Sequence, residues 1–202
     1  MNRDLYIQHY CKIKANTLTV DDSIVIGQPE NQELTDFLKF LYKYLELGYS
    51  KFFKMDKLSK LAFLASEVLL KEETGLENCA VVLSNHASSL ETDRVYQASI
   101  EDKENYYPSP SVFVYTLPNI TIGEICIRHK IHGENAFFVR DHFDPNFHHA
   151  YESGLLLNGK SDKILGGWVD VDGESYEAFL YLVSGKGDIP YEIKTLKEIY
   201  LK

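Results

Sequence analysis

Residues 54–75 read KMDKLSKLAFLASEVLLKEETG, and the run AVVLS begins five residues later, at Ala80. Leu58, Leu61, Ala62, Ala65, Val68 and Leu69 recur at spacings of three and four, so they share one face of a helix. Asp56 is placed to cap its start and Gly75 to stop it. AVVLS is a short, unbroken apolar run, the pattern of a strand covered on both faces. A helix with one apolar face that delivers the chain into a doubly covered strand fits an α/β architecture with a largely parallel sheet.

The remaining segments repeat that alternation. LYIQHYCKI near the start and SIVIG at 23–27 read as one or two short strands. ENQELTDFLKFLYKYLELG places Leu34, Phe37, Leu38, Leu41 and Leu45 on one helical face and ends at Gly48. TLPNITIGEICIRHKIHG reads as a helix with Pro118 in its first turn and Gly133 at its close. AFFV at 136–139 is a second buried strand, HHAYESGLLLNG a helix, and DKILGGWVDV and YEAFLYLVS are further strands. The tail from Lys186 mixes charges with Ile and Leu, as an extra strand or short helix would. No repeat or linker divides the chain, so the expectation is one domain over 1–202.

Composition narrows the function. A net charge of −9 argues against a binder of phosphate backbones, which needs clustered Lys and Arg, and against attraction to anionic membranes. No apolar run spans a bilayer, and MNRDLYIQHY lacks the apolar stretch of a signal peptide, which points to the cytoplasm. Cys11, Cys79 and Cys126 are odd in number and far apart, which suits buried thiols in a reducing compartment.

FFVRDHFDPNFHHAYE, residues 137–152, gathers His142, His148, His149, Asp141, Asp144 and Glu152. A metal site is one reading. However, the spacing of six and then one is unlike the usual ligand spacings, adjacent helical residues diverge by about 100°, and Pro145 breaks the segment. The plainer reading is that Asp144 or Asn146 caps a helix with Pro145 in its first turn, one histidine of the 148–149 pair facing in and one out. A third is a pocket lined by His142. Asn85, His86, Ser88 and Ser89 after AVVLS read as a polar loop, since no G-x-S-x-G turn accompanies them. Trp168 reads as core or interface, and Lys51, Lys54, Lys57 and Lys60 as a solvated basic edge.

The order of segments resembles the N-terminal half of β-ketoacyl-acyl-carrier-protein synthases. KMDKLSKLAFLASEVLL matches a helix opened by Met-Asp, and AVVLSNHASSLETD a strand leading to a loop with Leu-Glu-Thr. SPSVFVYTLPNITIGEICIRHKIHGENAFFV matches a Pro-Asn helix that leads to the strand before the nucleophile. DKILGGWVDV matches a strand with a Gly-Gly pair. The match covers roughly residues 50–185. It implies a single thiolase-like half, βαβαβαββ, with a mixed five-stranded sheet flanked by helices.

By that resemblance, the nucleophilic cysteine would follow the strand Ala136–Val139, and counting from Gly166-Gly167 puts His142 at or beside it. No cysteine lies between 127 and 202. Full synthases are longer, and their second half supplies two histidines. The resemblance therefore implies a non-catalytic, chain-length-factor-like subunit with no cofactor and no metal. It would serve fatty-acid or aryl-polyene-type polyketide biosynthesis beside a β-ketoacyl synthase, or pair with itself. Ala136, Phe137, Phe138 and Val139 would form the interface. His142, Phe143 and Asn119 would contact substrate, and Lys51, Lys54 and Lys57 would meet an acyl carrier protein. Two other expectations stand beside it: a metal-dependent hydrolase or lyase using His142, His148, His149 and Asp144, and a stand-alone acyl or phosphopantetheine binder.

Overall fold

A computed structural model of the protein describes residues 4–28 and 32–202. The chain runs β1 (Tyr6–Lys14), β2 (Thr17–Val20), β3 (Ser23–Gly27), α1 (Leu34–Tyr44), a 3₁₀ turn (Ser50–Lys54), α2 (Lys57–Leu70), β4 (Cys79–Asn85), α3 (Leu90–Glu101), α4 (Pro110–Val114), α5 (Ile120–His129) and β5 (Asn135–Val139). It continues through α6 (Pro145–Leu157), β6 (Lys163–Asp172), β7 (Ser175–Ser184), β8 (Ile189–Pro190) and α7 (Ile193–Leu201).

One mixed sheet joins the strands in the order β3-β2-β1-β7-β6-β4-β5, with β8 paired to β1. β4 lies parallel to both β5 and β6, and the other pairings are antiparallel. The α/β fold and the mixed sheet implied by the resemblance are present. The largely parallel sheet expected from the alternation is not, because β1, β2, β3, β7 and β8 join through antiparallel pairings and, among the described residues, only β4 pairs in parallel. The sheet extends past five strands because β2 and β3 fold back as a hairpin on β1 and β8 adds a short pairing. The helix expected over 30–48 runs Leu34–Tyr44, with residues 30 and 31 outside the described residues.

Helices cover both faces. α2 packs against β1, β6 and β7 and against α1 and α5, while α6 and α7 pack together on the other face. β4 shows why its sequence is apolar throughout, since all seven of its residues are buried. Cys79, Val81 and Leu83 join the core under α2 and α5. Ala80 and Val82 join the core under α6 and α7, and Ser84 turns toward α6 on the same side. The Asp56 carboxylate accepts a hydrogen bond from the Ser59 N–H at 2.9 Å and so caps α2 as its position predicts.

Three glycines expected to stop helices lie further on, the first being Gly48, four residues after α1 ends at Tyr44. α2 ends at Leu70, five residues before Gly75, and α5 ends at His129 with Lys130 in the left-handed conformation. Gly133 serves close approach instead: a Cβ there would stand 2.3 Å from the Cys79 carbonyl oxygen.

Candidate functional site

The parallel strands β4, β5 and β6 end on the same side of the sheet, and in such sheets ligands sit in the crevice beyond the carboxyl ends of the strands. A crevice of about 280 Å³ lies there, between the residues that follow β4 and β5 and the outer parts of β6 and β7. His86 enters it from the turn after β4, Asp141 and His142 from the turn after β5, and Trp168 and Asp170 from β6.

Asp170 ties two of these walls together. Its Oδ1 accepts the His86 N–H at 3.0 Å and the Ala87 N–H at 2.8 Å, so the turn after β4 is fastened to β6. On the far wall, Glu177 takes a hydrogen bond from Tyr200 Oη at 3.0 Å and an ion pair from Lys14 at 3.2 Å. His86, Asp141 and His142 are exposed. The crevice therefore presents two imidazoles and three carboxylates beside the ring of Trp168, whose own side chain is almost wholly buried in the core.

The turn that carries His142 is held from both ends. The Arg140 N–H bonds to the Asn85 carbonyl at 2.8 Å and prolongs the β4–β5 ladder. The Arg140 guanidinium reaches Asp144 at 3.0 Å and lies 4.2 Å from the Phe147 ring centre. Asp144 then caps α6, accepting from the N–H groups of Asn146 and Phe147 at 3.0 and 3.3 Å, with Pro145 in the first turn. Burial pushes the Asp144 carboxyl up, but those N–H bonds and Arg140 outweigh it and hold the group below its ordinary value.

Behind the turn, α6 carries His148 and Glu152 one helical turn apart, facing the sheet. His148 Nδ1 lies 2.8 Å from Glu152 Oε1, and His148 Nε2 lies 2.7 Å from Ser84 Oγ. Tyr181 Oη donates to Glu152 Oε1 at 3.0 Å and Tyr191 Oη to Oε2 at 2.5 Å. With Glu152 ionised and able only to accept, Nδ1 carries the proton, and a neutral imidazole then takes the Ser84 hydroxyl hydrogen at Nε2. Burial first, and then the Glu152 charge, push the Tyr181 and Tyr191 hydroxyls well above their ordinary value.

Serine to histidine to carboxylate is the connectivity of a hydrolytic triad. Here Ser84, His148 and Glu152 are all 0% exposed, so no substrate reaches the hydroxyl. The network fastens α6 to β4 and β7 and thereby fixes the turn that bears His142. Gly166 on β6 makes room for it: a Cβ there would stand 2.5 Å from Glu152 Oε1 and 2.6 Å from the Tyr181 ring.

This arrangement disperses the histidine cluster of the sequence. His142 opens to the crevice, and His148 enters the core. His149 stacks on the Tyr191 ring at 5.0 Å with its Nε2 3.2 Å from the Tyr191 carbonyl oxygen. Among the described residues, no group of three His, Cys, Asp or Glu is placed to hold a metal ion. The hydrolase or lyase reading built on these histidines loses its geometric basis.

The other candidate residues fall in different places. Phe143 is buried against Tyr200, His148 and Phe179, with ring centres 4.7, 5.0 and 5.3 Å away. Asn119 is exposed at the start of α5, which packs on the opposite face of the sheet from α6. Lys51 pairs with the nearly buried Glu124 at 2.8 Å and Lys57 with Glu91 at 3.0 Å. The loop after β4 is bound up by its own hydrogen bonds: Asn85 and Ser88 bond each other, and Ser89 Oγ donates to the Thr116 carbonyl at 2.6 Å. Ala136, Phe137 and Phe138 are half-buried and Val139 exposed on β5, which ends the sheet with one side unpaired among the described residues.

Glu152, Ser84, Tyr181 and Tyr191 escaped sequence reasoning as a group. The available signals were the four-residue spacing of His148 and Glu152 and a serine closing an otherwise apolar run.

No family model matches the sequence, and no curated protein matches it. Solved structures do share its fold. A structure of the ishigamide ketosynthase/chain length factor superposes with a TM-score of 0.66 at 18% identity, over 90% of this chain and 62% of that one. A chain in the complex of a ketosynthase with its chain length factor from Xenorhabdus doucetiae gives 0.62 at 14% identity, over 98% of this chain and 90% of that one. A β-ketoacyl synthase from Burkholderia phymatum gives 0.60 at 11% identity, over 90% of this chain and 59% of that one. The chain thus has the thiolase-like fold of ketosynthases and chain length factors. It spans less than two thirds of the length of the ishigamide and Burkholderia relatives.

Proposed function

We propose that this protein is a non-catalytic, ketosynthase-like subunit resembling a chain length factor. It pairs with a β-ketoacyl synthase, or with itself, in fatty-acid or aryl-polyene-type polyketide assembly, as a single domain over 1–202. The observation that carries the reading is the open edge of the sheet. Among the described residues, β5 is hydrogen-bonded to a strand on one side only. Val139 and Tyr151 beside that edge are exposed, and Phe138, Phe147 and Tyr151 form an aromatic cluster with ring centres 4.8 to 6.1 Å apart. An edge strand with apolar side chains is a ready template for strand pairing across a two-fold axis.

Three further observations support it. A chain of nearly this length occurs in the Xenorhabdus complex of a ketosynthase with its chain length factor. The turn after β5 bears His142 where the resemblance calls for a thiol. The cysteines themselves lie elsewhere, with burial pushing Cys11 and Cys79 up to about 12 and Cys126 to about 11, so none is a ready thiolate. An acyl carrier protein is the second proposed partner. Of Lys51, Lys54 and Lys57, only Lys54 has no carboxylate within ion-pair reach among the described residues.

Light scattering after size-exclusion chromatography, with and without a β-ketoacyl synthase from the same source, tests the reading. The expected result is a dimer with the synthase or with a second copy, abolished by Phe137→Pro, which removes a β5 N–H, and by Val139→Glu. A monomer that binds neither would refute it.

A further inference from the structure

The lysine run noted in the sequence does not form a bare solvated edge. Lys54, Lys57 and Lys60 rim a cleft of about 290 Å³ between the first turn of α2 and the α3–α4 segment, at the small end of the range that holds small molecules. Its walls are Met55, Val95, Val112 and Tyr115. Met55 and Tyr115 are buried and form the floor, while Val95 is 58% exposed and Val112 half-buried, so the apolar surface is only partly covered by the described residues.

The charges in the cleft are unevenly matched. Two carboxylates line it, and both are engaged. Asp56 accepts from the Ser59 N–H and, at 2.8 Å, from Thr92 Oγ1, while Glu91 holds Lys57. Among the described residues, neither Lys54 nor Lys60 has a carboxylate within ion-pair distance. Lys60 is half-buried, its ammonium 5.9 Å from the Phe52 ring centre, and burial lowers its pKa by more than the nearby Asp56 carboxylate raises it. On a chain of net charge −9, a concave apolar surface where three lysines face two carboxylates, with neither Lys54 nor Lys60 in an ion pair among the described residues, is complementary to an anion with an apolar body.

We propose that this cleft binds a small anionic amphiphile, specifically a medium-chain carboxylate, with Lys60 and Lys54 facing the carboxylate and Val95, Val112 and Tyr115 the chain. Its limited volume suits a single short chain. An acidic protein helix would instead use the outermost lysines and leave Lys60 unused. This assignment does not depend on pairing through β5.

Isothermal titration of the full chain with decanoate, against decan-1-ol and decyltrimethylammonium, tests it. Decanoate is expected to bind at least about tenfold more tightly than either control. Lys60→Met is expected to weaken decanoate by about tenfold, the loss of one charge-assisted contact. Val112→Trp, on a helix that buries nothing, should fill the cleft and abolish binding without lowering the melting temperature. It reports independently should Lys60→Met fail to fold. Equal binding of the alcohol, wild-type affinity in both variants, no binding of decanoate at millimolar concentration, or lysine dependence only toward an acidic carrier protein would each overturn the proposal.

Discussion

Replacing Glu152 tests whether the buried network, rather than general packing, holds α6 on the sheet. Glu152→Ala strands three donors, His148 Nδ1–H, Tyr181 Oη–H and Tyr191 Oη–H, in a site with no exposed surface. An unsatisfied buried donor costs roughly 1–3 kcal/mol, and the three share one acceptor group, so their losses do not simply add. Three such losses adding incompletely put the expected cost at about 3–5 kcal/mol. Glu152→Gln keeps an oxygen for His148 and Tyr181 and turns its amide toward Tyr191, whose hydroxyl can rotate to accept. That variant is expected to lose about 1–2 kcal/mol, the difference between a charged and a neutral hydrogen-bond partner. Tyr191→Phe, which removes one donor and leaves the carboxylate two, should fall near Gln. Urea unfolding followed by circular dichroism reads the series. With a slope of about 2 kcal/mol/M, the Ala variant should move the midpoint by about 2 M and the Gln variant by less than about 1 M. Equal shifts for Ala and Gln, or an Ala shift below about 0.5 M, would show that the carboxylate does not organise this helix.

Two further outcomes follow from other groups. Glu67 is fully buried; burial pushes its carboxyl up, but His129 and Arg128, the latter through bonds of 2.7 and 3.0 Å, hold it below the ordinary range. A depressed carboxyl stabilises the fold fully above the unfolded value of about 4.3 and loses that contribution as pH falls through its folded value. Glu67→Gln should therefore lower stability at neutral pH and flatten the acid limb below about pH 4.3 in pH-dependent unfolding. An unchanged limb would refute the assignment. The three thiols should also react with iodoacetamide at pH 7.5 at least about a hundredfold more slowly than free cysteine, with Cys126 first. Mass spectrometry showing any of them reacting at the free rate would return a thiolate to consideration.

The parts legible in the sequence are those where cause and effect lie within a few residues. Asp56 before an apolar stripe and Asp144-Pro145 before His148 each carry the local chemistry of a helix start, and both cap as expected. α3 and α4 were less visible because they rest on the surface: α3 buries only Thr92 and α4 nothing, so neither shows an apolar period. β2 goes unread between LYIQHYCKI and SIVIG because its four residues bury only Leu18 and are too few to show a period. The network around Glu152 draws on β4, α6, β7 and the residue after β8, and no spacing along the chain announces such a meeting. The crevice follows the same logic, since Asp170 reaches His86 across 84 positions of sequence.

The missing side chain at Gly166 also bears on how this protein can change over generations. A methyl group at that position would overlap the Glu152 carboxylate and the Tyr181 ring, while a shorter residue at 152 vacates much of the space that methyl would need. Alanine at 166 should thus be rejected in the parent background and better tolerated after 152 has been shortened. The two sites, 14 apart in sequence, should be coupled in the order in which they accept substitutions. Drift at position 166 then depends on a prior replacement at 152, and a library varying one position at a time would score 166 as fixed.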